Sequence, residues 1–154
     1  MIAAVYSDGG VVGGSRSEIG GVWAWRHVDE EGWHVAQYHG ITRGPTTNNV
    51  QEFEALVRCL EALPDGWSGL VCCDSEITLG RFFNGWAVRG ISEELLVRKD
   101  AVLARLGPLL PVRLDGHPTK AQLAKGIGPR GGPVSHHQVW CDLMCKDAKE
   151  ALLL

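Results

Sequence analysis

Two apolar stretches flanking a polar turn stand ahead of the first helical repeat in this chain, and that order constrains the fold more than any other feature. Gly21 to Val28 (GVWAWRHV) and Trp33 to Thr42 (WHVAQYHGIT) are separated by Asp29-Glu30-Glu31-Gly32, the pattern of an antiparallel hairpin. Before them, Ile2 to Ser7 is short and apolar and runs into Asp8-Gly9-Gly10 and further glycines, which predicts a strand followed by a long glycine-rich turn. Three strands therefore open the chain as a meander.

After Gly44-Pro45 the period changes. Phe53, Leu56, Val57, Leu60 and Leu63 recur at helical spacing up to Pro64, with Asn48 and Gln51 as the expected capping pair. Leu70 to Cys73 is an apolar run too short for a helix before Asp74-Ser75, so it predicts a buried strand, and a helix is expected from there to about Trp86. Ser92-Glu93-Glu94 starts another helix and Gly107-Pro108 stops it. Pro111 to Leu114 is the expected last strand. Residues 116–134 are rich in Gly and Pro, contain Lys120, Lys125 and Arg130 with no acid, and predict a long, locally basic loop. Ser135 and Gln138 have capping-box spacing and open a final helix. The order β-β-β-α-β-α-α-β-α predicts an α/β (or α+β) fold, a mixed sheet covered by helices.

At 154 residues, 45% of them hydrophobic, the chain suits one domain over residues 1–154. A net charge of −3 excludes a protein that coats nucleic acid by charge alone. Five cysteines without Cys-x-x-Cys spacing make neither a zinc site nor a disulfide framework, which predicts a reducing, cytoplasmic setting. The first seven residues lack a basic flank and read as a strand rather than a signal peptide. No apolar run approaches membrane-spanning length, so no membrane association is expected.

Four acids stand where elements begin or end: Asp8, Glu52, Asp74 and Asp142. Strands that end in Asp8 and Asp74 present both at the carboxyl end of the sheet, where ligand sites in open α/β sheets lie. Glu52, in the first turn of its helix, can lean toward the same end, and Asp142 can join from the last helix. Carboxylates packed together repel one another, and Mg²⁺ or Mn²⁺ are the hard cations that neutralise them. Each acid alone has an ordinary explanation in a turn, a helix start or a solvated helix face. Their joint placement points to metal-dependent phosphodiester chemistry.

With these residues in view, the chain resembles the type 1 ribonuclease H family over nearly its whole length. Asp8-Gly9, Thr47-Asn48-Asn49 with Glu52, Asp74-Ser75 and Cys141-Asp142 match that family's motifs in order and context, and TNNVQEFEAL is the most specific match. The resemblance implies a five-stranded mixed sheet with helices on both faces. It also implies endonucleolytic cleavage of the RNA strand of an RNA–DNA hybrid with two Mg²⁺ or Mn²⁺ ions. Asp8, Glu52, Asp74 and Asp142 would be the metal-binding catalytic set, with Glu52 near the RNA 2′-hydroxyl, the group that distinguishes RNA from DNA. Backbone groups of Gly9 and Gly10 and the side chains of Asn48 and Asn49 would contact the hybrid. No protein partner is implied.

The family often carries a histidine before its last helix. His117 is expected in that role, with His136 and His137 as competitors nearer the helix. The basic helical handle of strong hybrid binders is missing, because Phe82 to Gly90 passes almost directly into the Ser92 helix. Lys120, Lys125 and Arg130 are expected to compensate through phosphate neutralisation. Most of the six tryptophans read as core, and Trp86 as a residue lining the DNA strand's path. Two other readings stay open: the same fold acting on DNA or another nucleic acid, and a hybrid-binding module without turnover.

Overall fold

The computed structural model describes residues 1–154. Its main sheet has five strands in the order β4-β3-β1-β6-β7. These are β1 (Ile2–Val11), β3 (Gly20–Asp29), β4 (His34–Arg43), β6 (Gly69–Cys73) and β7 (Leu109–Arg113). The first three in sequence are antiparallel, as the hairpin pattern predicts. The strands β6 and β7 join parallel to β1 through helical crossovers, so the sheet is mixed.

One face of the sheet carries α1 (Asn48–Glu61), α2 (Glu76–Phe83) and α3 (Glu93–Arg105), and the other carries α5 (His136–Leu152). Side chains alternate across a strand. Val5 and Val71 accordingly enter a core with Phe53, Leu56, Leu60, Phe82 and Val102. Val22 and Ala24 enter a smaller core with Cys141, Cys145, Ala148 and Leu152. At about 25 cal/mol per Å², each fully buried Phe or Leu contributes roughly 1.5–3 kcal/mol to holding these layers together.

Several expectations are corrected. The strand β1 does not stop before Asp8: it continues through Gly9 and Gly10 to Val11, paired with β3 by the register Asp8↔Ala24, Gly9↔Trp23 and Gly10↔Val22. Paired glycines read as a turn by composition, but here the missing Cβ of Gly9 admits the backbone of α1. Two short strands, β2 (Arg16–Ser17) and β5 (Thr46–Thr47), pair with each other and tie the glycine-rich turn to the start of α1. Thr47 caps α1 by accepting from the Val50 N–H, while Gln51 is buried and donates to Thr46 Oγ1, so Asn48 and Gln51 are not a capping pair.

Ser135 caps α5, but Gln138 reaches inward and donates to Ser7 O at 2.8 Å instead of closing a capping box. The expected loop at 116–134 contains a helix, α4 (Lys120–Lys125), with a Thr119/Gln122 capping box and a left-handed Gly126 at its end. The helix after β6 stops at Phe83, so Trp86 follows α2 rather than lying on it. Trp23 and Trp67 are buried, whereas Trp33 sits 71% exposed at the hairpin tip. No helix is long and apolar enough to cross a membrane.

Candidate metal centre and nucleic-acid cleft

The sheet register brings the first two acids together. The parallel partners Ala4↔Leu70, Val5↔Val71 and Tyr6↔Cys72, extended by two residues, set Asp74 beside Asp8 at the point where β6 ends and β1 continues. Glu52 is brought over them by the fit of α1 against Gly9. A Cβ on Gly9 would overlap the carbonyl of Gln51 and lie 2.7 Å from Glu52 N, so only glycine admits the first turn of α1 at this depth. Oxygen atoms of Asp8, Glu52 and Asp74 lie within 4.8 Å of one another.

Burial, then the neighbouring Asp74, hold the Asp8 carboxyl well above the usual carboxylate range. Burial, then Asp8 and Asp74, do the same to Glu52. Asp74 is also raised, chiefly by burial, with His117 opposing the shift. The ion pairs bordering the cleft, Arg113 with Asp115 and Lys146 with Asp142, include none of the three acids. Three convergent carboxylates whose proton affinity is raised by burial and by neighbouring acids form a donor set suited to a hard divalent cation.

Asp142 lies in the same cleft but outside that trio. Its Oδ2 is 3.2 Å from Lys146 Nζ and 3.8 Å from His117 Nδ1. His117 has φ 51, a left-handed conformation rarely held by a non-glycine residue. Gly116 before it lies so close to Asp74 that a Cβ there would be 2.8 Å from Asp74 Oδ2. His137 is buried against Tyr6 and Arg26, and with His136 it lines a different pocket beside Trp33 and His34. His117 is therefore the one histidine of the three beside the acids.

The cleft has a volume of about 560 Å³ and no apolar side chain in its lining. Gly9, Gly10, Asn48, Asn49 and Arg130 are among the residues that line it. The Asn48 side chain is engaged within the protein, accepting from Val11 N at 3.0 Å and donating to Gly14 O at 3.1 Å. Lys120 and Lys125 stand exposed on α4, outside the cleft lining. Trp86 lies over Gly80 in a neighbouring groove with Glu76, Asn84 and Pro111.

Sequence reasoning missed Ser75, Arg113, Lys146 and Lys149, which line the cleft. A signal existed for the lysines: Asp142, Lys146 and Lys149 follow the i, i+4, i+7 spacing of one helix face. Arg113 carried no such signal, because its place depends on the register Cys73↔Arg113 between β6 and β7.

No protein-family model matches the chain, and no curated protein matches it. Solved structures do. A ribonuclease H1 called LC11, in complex with an RNA/DNA hybrid, superposes with a TM-score of 0.71 at 21% identity, covering 98% of this chain and 99% of that one. The LC11 enzyme isolated from compost gives 0.71 at 22% identity, with both chains covered completely. The ribonuclease H1 of the halophilic archaeon Halobacterium salinarum gives 0.65 at 19% identity, covering 96% of this chain and 97% of that one. The N-terminal ribonuclease H domain of a Mycobacterium tuberculosis protein, fused to maltose-binding protein, gives 0.66 at 17% identity over 98% and 96% of the two chains. Over its whole length, this chain has the ribonuclease H fold.

Proposed function

We propose that this protein is a metal-dependent endonuclease that hydrolyses the RNA strand of RNA–DNA hybrids. One observation carries the reading: Asp8, Glu52 and Asp74 converge within 4.8 Å at the end of the β1–β6 parallel pair, in a polar cleft of a ribonuclease H fold. A structural relative bound to an RNA/DNA hybrid supports the choice of substrate.

Asp8, Glu52, Asp74 and Asp142 would hold two Mg²⁺ or Mn²⁺ ions, which supply charge neutralisation and Lewis-acid polarisation at the phosphate. Glu52 also lies nearest the RNA 2′-hydroxyl in this reading. Gly9, Gly10, Asn48 and Asn49 hold the hybrid, and the indole of Trp86 offers the DNA strand a stacking surface. Water adds across the P–O3′ bond, so the products carry a 5′-phosphate and a 3′-hydroxyl. The departing oxygen gains a proton, and His117, beside Asp142 and reachable from solvent, is the group assigned to that transfer or to product release. The five cysteines, buried and unpaired, support a reducing, cytoplasmic setting, and residues 1–154 act as a single domain.

Incubation of a labelled hybrid with Mg²⁺ or Mn²⁺ yields RNA fragments ending in 5′-phosphates; fragments with 5′-hydroxyl ends contradict the reading. Because Lys120, Lys125 and Arg130 replace a basic handle, reversing their charges together weakens hybrid binding. It also lowers the slope of log K against log[salt] by about 0.9 for each phosphate no longer neutralised. A slope equal to that of the unmodified protein contradicts the substitution of one basic element for the other.

A further inference from the structure

One buried acid beside the cleft has no part in the chemistry above. Asp115 is 1% exposed and follows the end of β7 by two residues. Its Oδ1 accepts from Arg113 Nη2 at 3.1 Å, and its Oδ2 accepts the backbone N–H groups of Arg130 at 2.7 Å and Gly132 at 3.0 Å. Its own N–H donates to Pro133 O at 2.8 Å. The outgoing and returning limbs of the excursion that carries α4 are thus closed on one carboxylate.

The closure needs glycine. A Cβ on Gly128 would lie 2.5 Å from Asp115 Cβ, and one on Gly132 would lie 2.7 Å from Asp115 Oδ1 and 3.3 Å from Arg113 Nη2. As a consequence, Arg113 from the sheet and Arg130 from the excursion reach the same cleft as the three acids. Asp115 balances one of these guanidinium groups, and the Arg130 side chain makes no ion pair. The pair therefore presents positive charge to the cleft.

Strand order sets where that charge lies. Lys149 approaches Gly10 of β1, with its Nζ 3.5 Å from where a Gly10 Cβ would be. Arg113 ends β7, two strands away; Asp8 lies on β1 and Asp74 follows the intervening β6. Lys146 is spent on Asp142. A polyanion entering the cleft meets Lys149 on one side of the carboxylates and the arginine pair on the other. Arg113 also borders the groove of Trp86 and Asn84, so it links the cleft to that groove.

We propose that Arg113 and Arg130, held together by Asp115, form a clamp for a backbone phosphate of the nucleic-acid substrate next to the scissile position. Asp115 is the positioning residue of this clamp. The proposal rests on reading the chain as a nucleic-acid hydrolase. Guanidinium groups suit the task because each offers a fixed fork of donors to phosphate oxygens.

The test measures hybrid binding across a salt series in the Asp74→Asn background, which spares the substrate, and steady-state cleavage in the otherwise unmodified protein. Arg113→Gln and Arg130→Gln each lower the magnitude of the salt slope by about 1 and raise KM roughly three- to tenfold. Asp115→Asn keeps both arginines yet weakens binding, and adding Arg130→Gln to it costs less than Arg130→Gln alone. Melting temperatures are recorded for every variant; should Asp115→Asn not fold, the two arginine variants decide. Unchanged slopes with lowered melting temperatures make Arg113–Asp115 a structural ion pair and overturn the clamp. If those variants still cleave hybrid RNA, the functional reading survives that result. Changed slopes in a protein that cleaves no nucleic acid leave the arginines as phosphate contacts but reject the hydrolase and, with it, a clamp beside a scissile phosphate. A protein that binds no nucleic acid overturns both.

Discussion

Asp8→Asn abolishes hybrid cleavage, lowering the rate by at least about 10³-fold, and at the same time stabilises the metal-free protein at neutral pH. Both effects come from one cause. Burial and the adjacent Asp74 raise the Asp8 carboxyl well above its ordinary value, so the folded state binds a proton more tightly than the unfolded chain does. Stability of the metal-free protein is then fully present below the ordinary aspartate range and falls as pH rises through the raised folded value. Asparagine removes the charge while keeping the shape, so the loss no longer occurs at this site.

Divalent ions act in the same sense. Mg²⁺ or Mn²⁺ raises the melting temperature of the unmodified protein more at pH 7.5 than at pH 5, because at the lower pH protons compete for the same oxygens. In Asp8→Asn that response shrinks or vanishes. Thermal melts with and without the ion, at both pH values, measure this. A metal-free Asp8→Asn protein less stable than the unmodified one, or an unmodified protein indifferent to the ion, contradicts the metal centre.

Gly9→Ala produces the second large effect, and by a different route. The added methyl meets the backbone of Gln51 and the Glu52 N–H rather than a mobile side chain, so α1 has to move bodily away from β1. Overpacking against backbone costs about 3 kcal/mol, or roughly 10 °C in melting temperature for a chain of this size. Glu52 moves with the helix, so cleavage falls even below the new melting point. Gly10→Ala is the control: its Cβ meets Lys149 Cε at 3.5 Å, an ordinary contact, and the stability change stays within about 0.5 kcal/mol. Equal melting temperatures for Gly9→Ala and Gly10→Ala would show that Gly9 does not set the depth of α1.

Much of this arrangement is legible in the sequence, for physical reasons. Apolar stretches around a polar turn give the hairpin, helical spacing gives α1, start and stop signals give α3, and the short run before Asp74 gives a strand buried between two others. Glu52 and Asp74 are legible because each is tied to an element end whose position the pattern supplies, and Asp8 because the apolar run sets it on the first strand, although that strand continues past it to Val11. What sequence reasoning does not reach is set by packing between distant segments. Gly9 is a turn residue by composition and a packing residue in the fold, because α1 lies on it. Gln138 reads as a helix cap, but Ser7 O, a carbonyl far away in sequence, accepts its amide. The excursion at 116–134 reads as an open basic loop because the acid that organises it, Asp115, lies just outside the stretch. Trp86 reads as helical when the apolar run is followed past Phe83, although Asn84-Gly85, with Gly85 at φ 69, is the local signal that stops the helix there.

Matched RNA–DNA hybrid, double-stranded RNA, double-stranded DNA and single strands, incubated with Mg²⁺ or Mn²⁺ beside Asp8→Asn and Asp74→Asn, give the most direct measurement. Cleavage confined to the RNA of the hybrid, and lost in both variants, is the expected result. Cleavage of DNA, cleavage that survives removal of either carboxylate, or binding to hybrid without any cleavage would contradict it.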